Sequence, residues 1–211
     1  MTLTKIIVFD LDGVLIDSAE ANYQAFAQGL SQWGLPRPDR QEVLSLVGLK
    51  ATEMLIQLGC PSHQAPTVFQ EVVRPFYLEQ LPSLAAPMPG AKAVLEELQR
   101  RQYCLLACTS GDRRTQTAAL ESVGLGQFFE ALQAADDSIY GKPDPRYLQE
   151  LLTPYSYSSL FQVEDAEVGL RMGQSCGATT IFAEYGFGFL AADFPVDHRI
   201  SQLEDLLAIA L

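Results

Sequence analysis

The chain has 211 residues, of which 48% are hydrophobic, and it carries a formal net charge of −12. This length allows one sizeable core, or a core domain with a small inserted domain. The acidic excess argues against nucleic acid or an anionic membrane as partner, because both require clustered Lys and Arg. No apolar run is long enough to span a membrane, and the N-terminus leads into a short strand rather than a signal peptide. We therefore expect a cytoplasmic protein that is a monomer or a weak dimer.

The first predicted element is a buried strand that runs into two acids. Residues 6–9 are all apolar, which is typical of a short strand covered on both faces. Asp10 and Asp12 follow, and side chains two apart on an extended chain point the same way. Gly13 then permits a sharp turn. This stretch alone fits an Asp-Gly turn, the metal-binding Asp-x-Asp of a glycosyltransferase, or a pair of catalytic acids. It does not fit an EF-hand, whose twelfth position would be Ala21.

A helical block follows this strand. Helical patterns cover about residues 19–32, 39–46, 52–58 and 64–81. Pro75 should kink the last of these helices, because proline lacks the N–H that the helix requires. Residues 81–90 are rich in proline and are predicted to be a linker. No strand pattern occurs between residues 18 and 82, so the block has the size of a small helical domain.

Strands and helices alternate after this block. Predicted strands cover residues 103–109, 131–135, 160–163 and 179–182, and predicted helices cover residues 91–101, 115–123, 144–152, 166–176 and 201–209. Such alternation predicts an α/β fold with a doubly wound, Rossmann-like parallel sheet. We therefore assign residues 1–16 and 84–211 to a core domain and residues 17–83 to an inserted helical domain.

Polar residues also occur at later strand ends and in a nearby loop. Thr109 and Ser110 precede a helix, where hydroxyl and backbone N–H groups can bind a phosphate-sized anion. Lys142 stands between Gly and Pro, which fixes its backbone and aims its ammonium. Glu164 and Asp165 end another strand, and carboxylate oxygens suit Mg²⁺. Each feature alone has a plainer explanation, such as a helix cap or a surface lysine, so their joint occurrence is what indicates a site.

Together these residues resemble the motifs of the haloacid dehalogenase-like hydrolase superfamily. The resemblance is to its phosphatase and β-phosphoglucomutase branch, in which a helical cap is inserted after the first strand. Residues 10–18 resemble the first motif and Thr109 the second. Lys142 fits the third motif, and Glu164 with Asp165 fits the fourth. The resemblance covers essentially the whole chain, and it makes residues 17–83 the cap.

The resemblance implies a catalytic or phosphate-binding role for five residues. Asp10 would be the nucleophile that forms an aspartyl-phosphate. Asp12 would protonate the leaving oxygen and then activate the attacking water. Thr109 and Ser110 would hold the phosphoryl group, and Lys142 would screen the charge between the nucleophile and the phosphate.

The resemblance also implies Mg²⁺ as the cofactor. Its ligands would be the carboxylates of Asp10 and Asp165 and the main-chain carbonyl of Asp12, with Glu164 in support. These donors are all oxygens, as Mg²⁺ prefers.

The function implied is that of a Mg²⁺-dependent phosphatase acting on a small phosphorylated metabolite, such as a sugar phosphate or phosphoglycolate. Residues 184–188 resemble a Tyr-Gly segment of phosphoglycolate-type phosphatases, and Asp12 argues against a dehalogenase, which lacks this second acid. Asn22, Gly48 and Lys50 are the predicted specificity residues of the cap. Two alternatives stay open, namely a β-phosphoglucomutase-like enzyme and a non-catalytic binding or regulatory protein. Comparable mutases carry a histidine near the position of Asn22, which weakens the mutase alternative.

Overall fold

The structure is a computed structural model that describes residues 3–209. Its strands are β1 (Thr4–Phe9), β2 (Ile16–Asp17), β3 (Ala86–Pro87), β4 (Tyr103–Cys108), β5 (Ala131–Gln133), β6 (Tyr157–Glu164), β7 (Thr179–Ala183) and β8 (His198–Ile200). The six strands β5, β4, β1, β6, β7 and β8 form one sheet in that order, and every neighbouring pair is parallel. Numbered along the chain, this order is 3-2-1-4-5-6, which is that of a doubly wound Rossmann sheet. The predicted fold class is confirmed.

The helices divide between the cap and the core. They are α1 (Ala19–Gln32), α2 (Arg40–Leu46), α3 (Ala51–Gln57), α4 (Ala65–Val68), α5 (Arg74–Leu84), α6 (Ala91–Arg100), α7 (Arg113–Ser122), α8 (Pro145–Leu152), α9 (Glu167–Ser175) and α10 (Leu206–Ile209). The first five lie within the predicted cap, apart from Leu84 at the end of α5, and the rest accompany the sheet. Within residues 3–209, none of them has both the length and the apolar character that a membrane crossing requires.

The central strand β1 is buried on both faces of the sheet. Ile7 and Phe9 pack in one apolar cluster, and Ile6 and Val8 pack in a second. All four side chains are fully buried. The alternation follows from the two-residue period of a strand, and each such side chain contributes about 1.5–3 kcal/mol through burial.

The chain leaves and re-enters the core through a small two-stranded ladder. In it Ile16 pairs with Pro87 and Asp17 pairs with Ala86, antiparallel. The sequence had predicted a linker over residues 81–90, but α5 continues to Leu84. Its last turn is anchored by Leu81, which is buried, and this packing overrides the linker-like composition. The division into core and cap domains stays a prediction.

A widened turn precedes Pro75 in the last long helical stretch of the cap. Residues Phe69–Val73 form a π-helical turn between α4 and α5. The N–H of Arg74 donates to the carbonyl of Phe69, five residues earlier. Pro75 has no N–H to continue the α-helical ladder. The structure therefore accommodates the proline with a π turn just before it.

The C-terminal segment differs from its prediction. Residues 201–209 form a 3₁₀ turn at Leu203–Asp205 and the short α10 instead of one helix, and the unpredicted strand β8 precedes them. The carboxylate of Asp205 accepts hydrogen bonds from the backbone N–H and the hydroxyl of Ser201. Such local bonds compete with regular helix, which explains the late helix start. The other predicted elements lie within a few residues of their predicted bounds.

Candidate active site

The candidate site lies at the carboxyl ends of the central strands. Asp10 directly follows β1, Thr109 directly follows β4, and Glu164 is the last residue of β6. β1 lies between β4 and β6, so the strand order reverses there. This is the point at which open parallel sheets bind ligands. The topology thus brings together polar residues that are distant in sequence.

Lys142 joins two of the acids. Its Nζ donates to Asp10 Oδ1 at 2.7 Å and to Glu164 Oε1 at 2.6 Å. The three side chains are at most 5% exposed. Burial alone would lower the pKa of the Lys142 ammonium, but the carboxylates of Asp10 and Glu164 outweigh burial and raise that pKa well above its ordinary value. The ammonium therefore stays charged, and it is fixed between two strand ends.

Three acids form a group that fits a metal ion. Asp10, Glu164 and Asp165 each offer a carboxylate oxygen, and these oxygens lie within 4.8 Å of one another. Burial, aided by the charge of Asp10, raises the pKa of Asp165 to about 7. A bound cation would offset this concentration of buried negative charge. The donors are all oxygens, so the residues fit the Mg²⁺ that the family resemblance implies. The Asp12 side chain is not part of this group.

A glycine-rich turn surrounds Asp165. The backbone N–H groups of Phe187 and Gly188 donate to Asp165 Oδ2 at 2.8 Å and 3.0 Å. Gly13 and Gly186 approach the same side chain so closely that an added Cβ would lie 2.2 Å from Oδ2 and 2.3 Å from Cβ of Asp165, respectively. Gly13 also has a φ of +80°, which other residues rarely adopt. The Tyr-Gly segment noted in the sequence thus holds Asp165 in place.

Asp12 is held by two hydrogen bonds. Ser18 Oγ donates to Asp12 Oδ1, and Gln116 Nε2 donates to Asp12 Oδ2 at 2.8 Å. Asn22 in turn donates to Ser18 Oγ at 3.0 Å. Burial raises the pKa of the Asp12 carboxyl and the charge of Asp10 adds to this, while the bonds from Ser18 and Gln116 oppose it. A raised pKa favours the protonated form that a general acid needs.

The turn after β4 is fixed by its neighbours. The N–H of Thr109 donates to the carbonyl of Gln133 at 2.9 Å, and its carbonyl accepts from the Tyr147 hydroxyl at 2.7 Å. Thr109 Oγ1 accepts from the N–H of Gly111 at 3.2 Å. Thr109 and the adjacent Ser110 are both buried. These bonds hold the predicted phosphate-binding turn in one conformation.

A small cavity lies between the core and the cap. Asp10, Asp12 and Thr109 line it from the core, and Asn22 and Gly48 line it from the cap. Its volume is about 50 Å³, which is room for about three to five water molecules. The predicted catalytic residues therefore face a small, partly enclosed space between the core and the cap.

The three predicted cap residues are placed differently. Asn22 and Gly48 line the cavity. A Cβ at Gly48 would lie 3.3 Å from that of Ala166, so this part of the cap rests on the loop after β6. The Lys50 ammonium would lie 3.2 Å from a Cβ at Gly141. Lys50 therefore covers the loop before α8 and does not line the cavity in the described structure.

The sequence interpretation missed Arg74, Tyr77, Asp112 and Gln116, which also line the cavity. Asp112 and Gln116 lie one helical turn apart at the start of α7, directly after the second motif. Their spacing was a usable signal for a second pair of polar groups facing the site. Arg74 and Tyr77 belong to the helical cap and carry no comparable motif.

Comparison with known proteins places the chain in a family. The model of the haloacid dehalogenase-like hydrolase family matches residues 7–183. The phosphoglycolate phosphatase of Caulobacter vibrioides is 35% identical over 148 residues, which are 67% of this chain and 62% of that protein. The validoxylamine A 7'-phosphate phosphatase of Streptomyces hygroscopicus subsp. limoneus is 30% identical over 177 residues, 82% of each chain.

Solved structures show the same fold. The crystal structure of a predicted phosphoglycolate phosphatase from Haemophilus somnus matches with a TM-score of 0.89 over 100% of both chains, at 21% identity. The family match also spans every strand end that contributes to the candidate site. The chain belongs to the haloacid dehalogenase-like hydrolase family.

Proposed function

We propose that the protein is a Mg²⁺-dependent phosphatase that hydrolyses a small phosphorylated metabolite through a phosphorylated Asp10. The observation that carries this proposal is the buried group in which Lys142 contacts both Asp10 and Glu164 beside Asp165. Two relatives named as phosphatases, from Caulobacter and Streptomyces, support the reaction class.

Asp10 and Asp12 divide the chemistry between them. Attack by an Asp10 carboxylate oxygen forms an O–P bond while the bond from phosphorus to the leaving oxygen breaks. Asp12 gives its proton to that oxygen and then takes a proton from the attacking water. The water releases inorganic phosphate and restores Asp10. Splitting hydrolysis into two displacements lowers the barrier of each step.

The remaining residues position and neutralise the transferred group. Thr109 and Ser110 bind its oxygens, and Lys142 offsets the charge between it and Asp10. Mg²⁺, held by Asp10, Asp165 and the main-chain carbonyl of Asp12, would neutralise further phosphoryl charge. Glu164 keeps Lys142 in position.

The cap selects the substrate by enclosing the leaving group. Asn22 and Gly48 lie on the cavity wall, and Lys50 lies against Gly141 in the loop before α8. The substrate class that we propose is a sugar phosphate or a phosphoglycolate-like acid. Enclosure also excludes bulk water before the transfer step.

A panel of phosphate monoesters tests the proposal. Purified protein with Mg²⁺ should release phosphate from p-nitrophenyl phosphate and from at least one sugar or organic-acid phosphate. Absence of turnover on the whole panel would refute the phosphatase proposal and favour a non-catalytic role. Faster isomerisation than hydrolysis of a glucose 1-phosphate would instead establish the phosphomutase.

A further inference from the structure

We infer that Arg74 of the cap is a specificity-determining residue that binds a second anionic group, a carboxylate, on the substrate's leaving group. This inference rests on the proposed phosphatase function and narrows its substrate class to short phosphorylated hydroxy acids. It follows from the position of Arg74, its incomplete pairing and the helix geometry that orients it.

Arg74 supplies positive charge to a cavity whose other charged lining side chains are acids. It lines the same cavity as Asp10 and Thr109. Among the described residues of that lining it is the only Lys or Arg, whereas Asp10, Asp12 and Asp112 contribute carboxyl groups. A neutral leaving group would gain little from a guanidinium here. An anionic leaving group would be repelled by the carboxylates if the guanidinium were absent.

The pairing of Arg74 leaves hydrogen-bonding capacity unused. Its Nε lies 3.4 Å from Asp112 Oδ1, yet both atoms are buried without a hydrogen-bond partner. The other oxygen, Asp112 Oδ2, accepts from Thr115 Oγ1 at 2.6 Å. Asp112 therefore holds the guanidinium by charge without saturating its five donors. A carboxylate entering the cavity can take two of those donors in a planar, bidentate arrangement.

The backbone and an aromatic ring orient the guanidinium. Arg74 lies over the Phe69 ring, with 4.7 Å between the guanidinium carbon and the ring centroid. The Arg74 N–H closes the π turn on the Phe69 carbonyl, and Phe69 also lines the cavity. Single π turns inside α-helices are rare overall, and those that occur are often found at functional sites. Here the turn places both side chains on the cavity wall.

The position of Arg74 matches the leaving-group side of the reaction. Gln116, one helical turn after Asp112, donates to Asp12, the acid proposed to protonate the leaving oxygen. A leaving group held by Asp12 therefore lies near the Arg74–Asp112 pair. The room for a few water molecules beside these groups suits a leaving group of two or three carbons that ends in a carboxylate.

A matched pair of substrates separates this role from a structural one. 2-Phosphoglycolate and ethyl phosphate differ mainly in the carboxylate at the end of the same two-carbon chain. Arg74→Gln should lower kcat/KM for 2-phosphoglycolate by about 10- to 100-fold, the loss expected for a charged hydrogen bond, and leave ethyl phosphate unchanged. Arg74→Lys should retain part of the preference. Arg40→Gln, which removes a half-exposed cap arginine paired with Glu20, is the control and should change neither substrate.

Equal losses on both substrates would identify Arg74 as a latch between cap and core and overturn the inference. A wild-type enzyme without preference for 2-phosphoglycolate would also overturn it. If the wild type hydrolyses neither substrate, the panel of monoesters decides the proposed function, and calorimetric binding of 2-phosphoglycolate decides the inference. If Arg74→Gln weakens the binding of 2-phosphoglycolate at least tenfold, the inference is supported. Equal binding by the wild type and the variant, or no binding by the wild type, refutes it.

Discussion

The ammonium of Lys142 lies 2.7 Å from Asp10 Oδ1, although 132 residues separate the two in the chain. The contact links the loop before α8 to the end of β1, and Glu164 extends it to the end of β6 at 2.6 Å. None of these charges is well hydrated, so each depends on the others. The same contact therefore determines both local stability and the charge available for phosphoryl transfer.

Replacing Lys142 should damage stability and activity together. Lys142→Ala leaves two buried carboxylates unpaired, and we expect a loss of about 3–5 kcal/mol in the free energy of unfolding, with no measurable phosphate release. Urea denaturation and a phosphate assay measure the two effects. Lys92→Ala is the control, because its side chain is 67% exposed and its pairing with Glu96 is 4.0 Å long. Equal stabilities of the two variants would contradict the pairing of Lys142 with the two buried carboxylates.

Replacing Asp10 should separate activity from folding. Asp10→Asn keeps the size of the side chain but removes the nucleophilic charge, and Lys142 retains Glu164 as its partner. We expect turnover to be abolished while the circular dichroism spectrum stays that of the wild type. Retained turnover would show that Asp10 is not the nucleophile.

The turn around Asp165 should not tolerate a methyl group. In Gly186→Ala the new Cβ would meet Asp165 Cβ at 2.3 Å, so the carboxylate must move. We expect a higher Mg²⁺ concentration for half-maximal activity and a lower maximal rate. Gly126→Ala, whose added Cβ is 3.9 Å from its nearest neighbour, should behave like the wild type. Unchanged Mg²⁺ dependence in Gly186→Ala would argue against a metal ligand at Asp165.

The hydrogen bond from Gln116 should matter for turnover. Gln116→Leu removes the 2.8 Å bond to Asp12 Oδ2, so that oxygen loses this donor. Since a positioned general acid contributes about 10²–10⁴-fold, we expect kcat to fall at least tenfold. Gln127→Leu, which loses only an exposed bond to Gly124, provides the control. A kcat equal to that of the control would exclude a positioning role for Gln116.

Removal of metal should abolish activity reversibly. Chelation removes the cation that Asp10 and Asp165 are proposed to hold, and added Mg²⁺ should restore both turnover and thermal stability. The gain in stability should reach about 2.7 kcal/mol at a Mg²⁺ concentration of 100 times Kd. Thermal unfolding with and without Mg²⁺ measures it, and Asp165→Asn should show no such gain. Full activity after exhaustive chelation would rule out the proposed cofactor.

The sequence predicted the centre of the site because its signals are local. Asp10 and Asp12 follow an obvious buried strand, and Glu164 with Asp165 ends another. Parallel strands bring their carboxyl ends together, so the convergence of these acids could be anticipated. The contact of Lys142 with Asp10, by contrast, is seen only in the three-dimensional structure.

Other features depend on tertiary structure. The position of the Arg74 side chain depends on a π turn and on the approach of the cap to α7. Neither feature has a recognisable sequence pattern. β8 spans only His198–Ile200, which is too short for a strand period to be recognised. Residues 81–84 are helical because Leu81 is buried, although their proline content favours a linker. The sequence therefore predicts the core better than the cap and the connections.

The most direct test is mass spectrometry of the peptide that contains Asp10, quenched in acid during turnover with Mg²⁺. We expect a peptide that is heavier by one phosphoryl group on Asp10 in the wild type and no such peptide in Asp10→Asn. Rapid phosphate release with an unmodified Asp10 peptide at every quench time, together with turnover in Asp10→Asn, would contradict it.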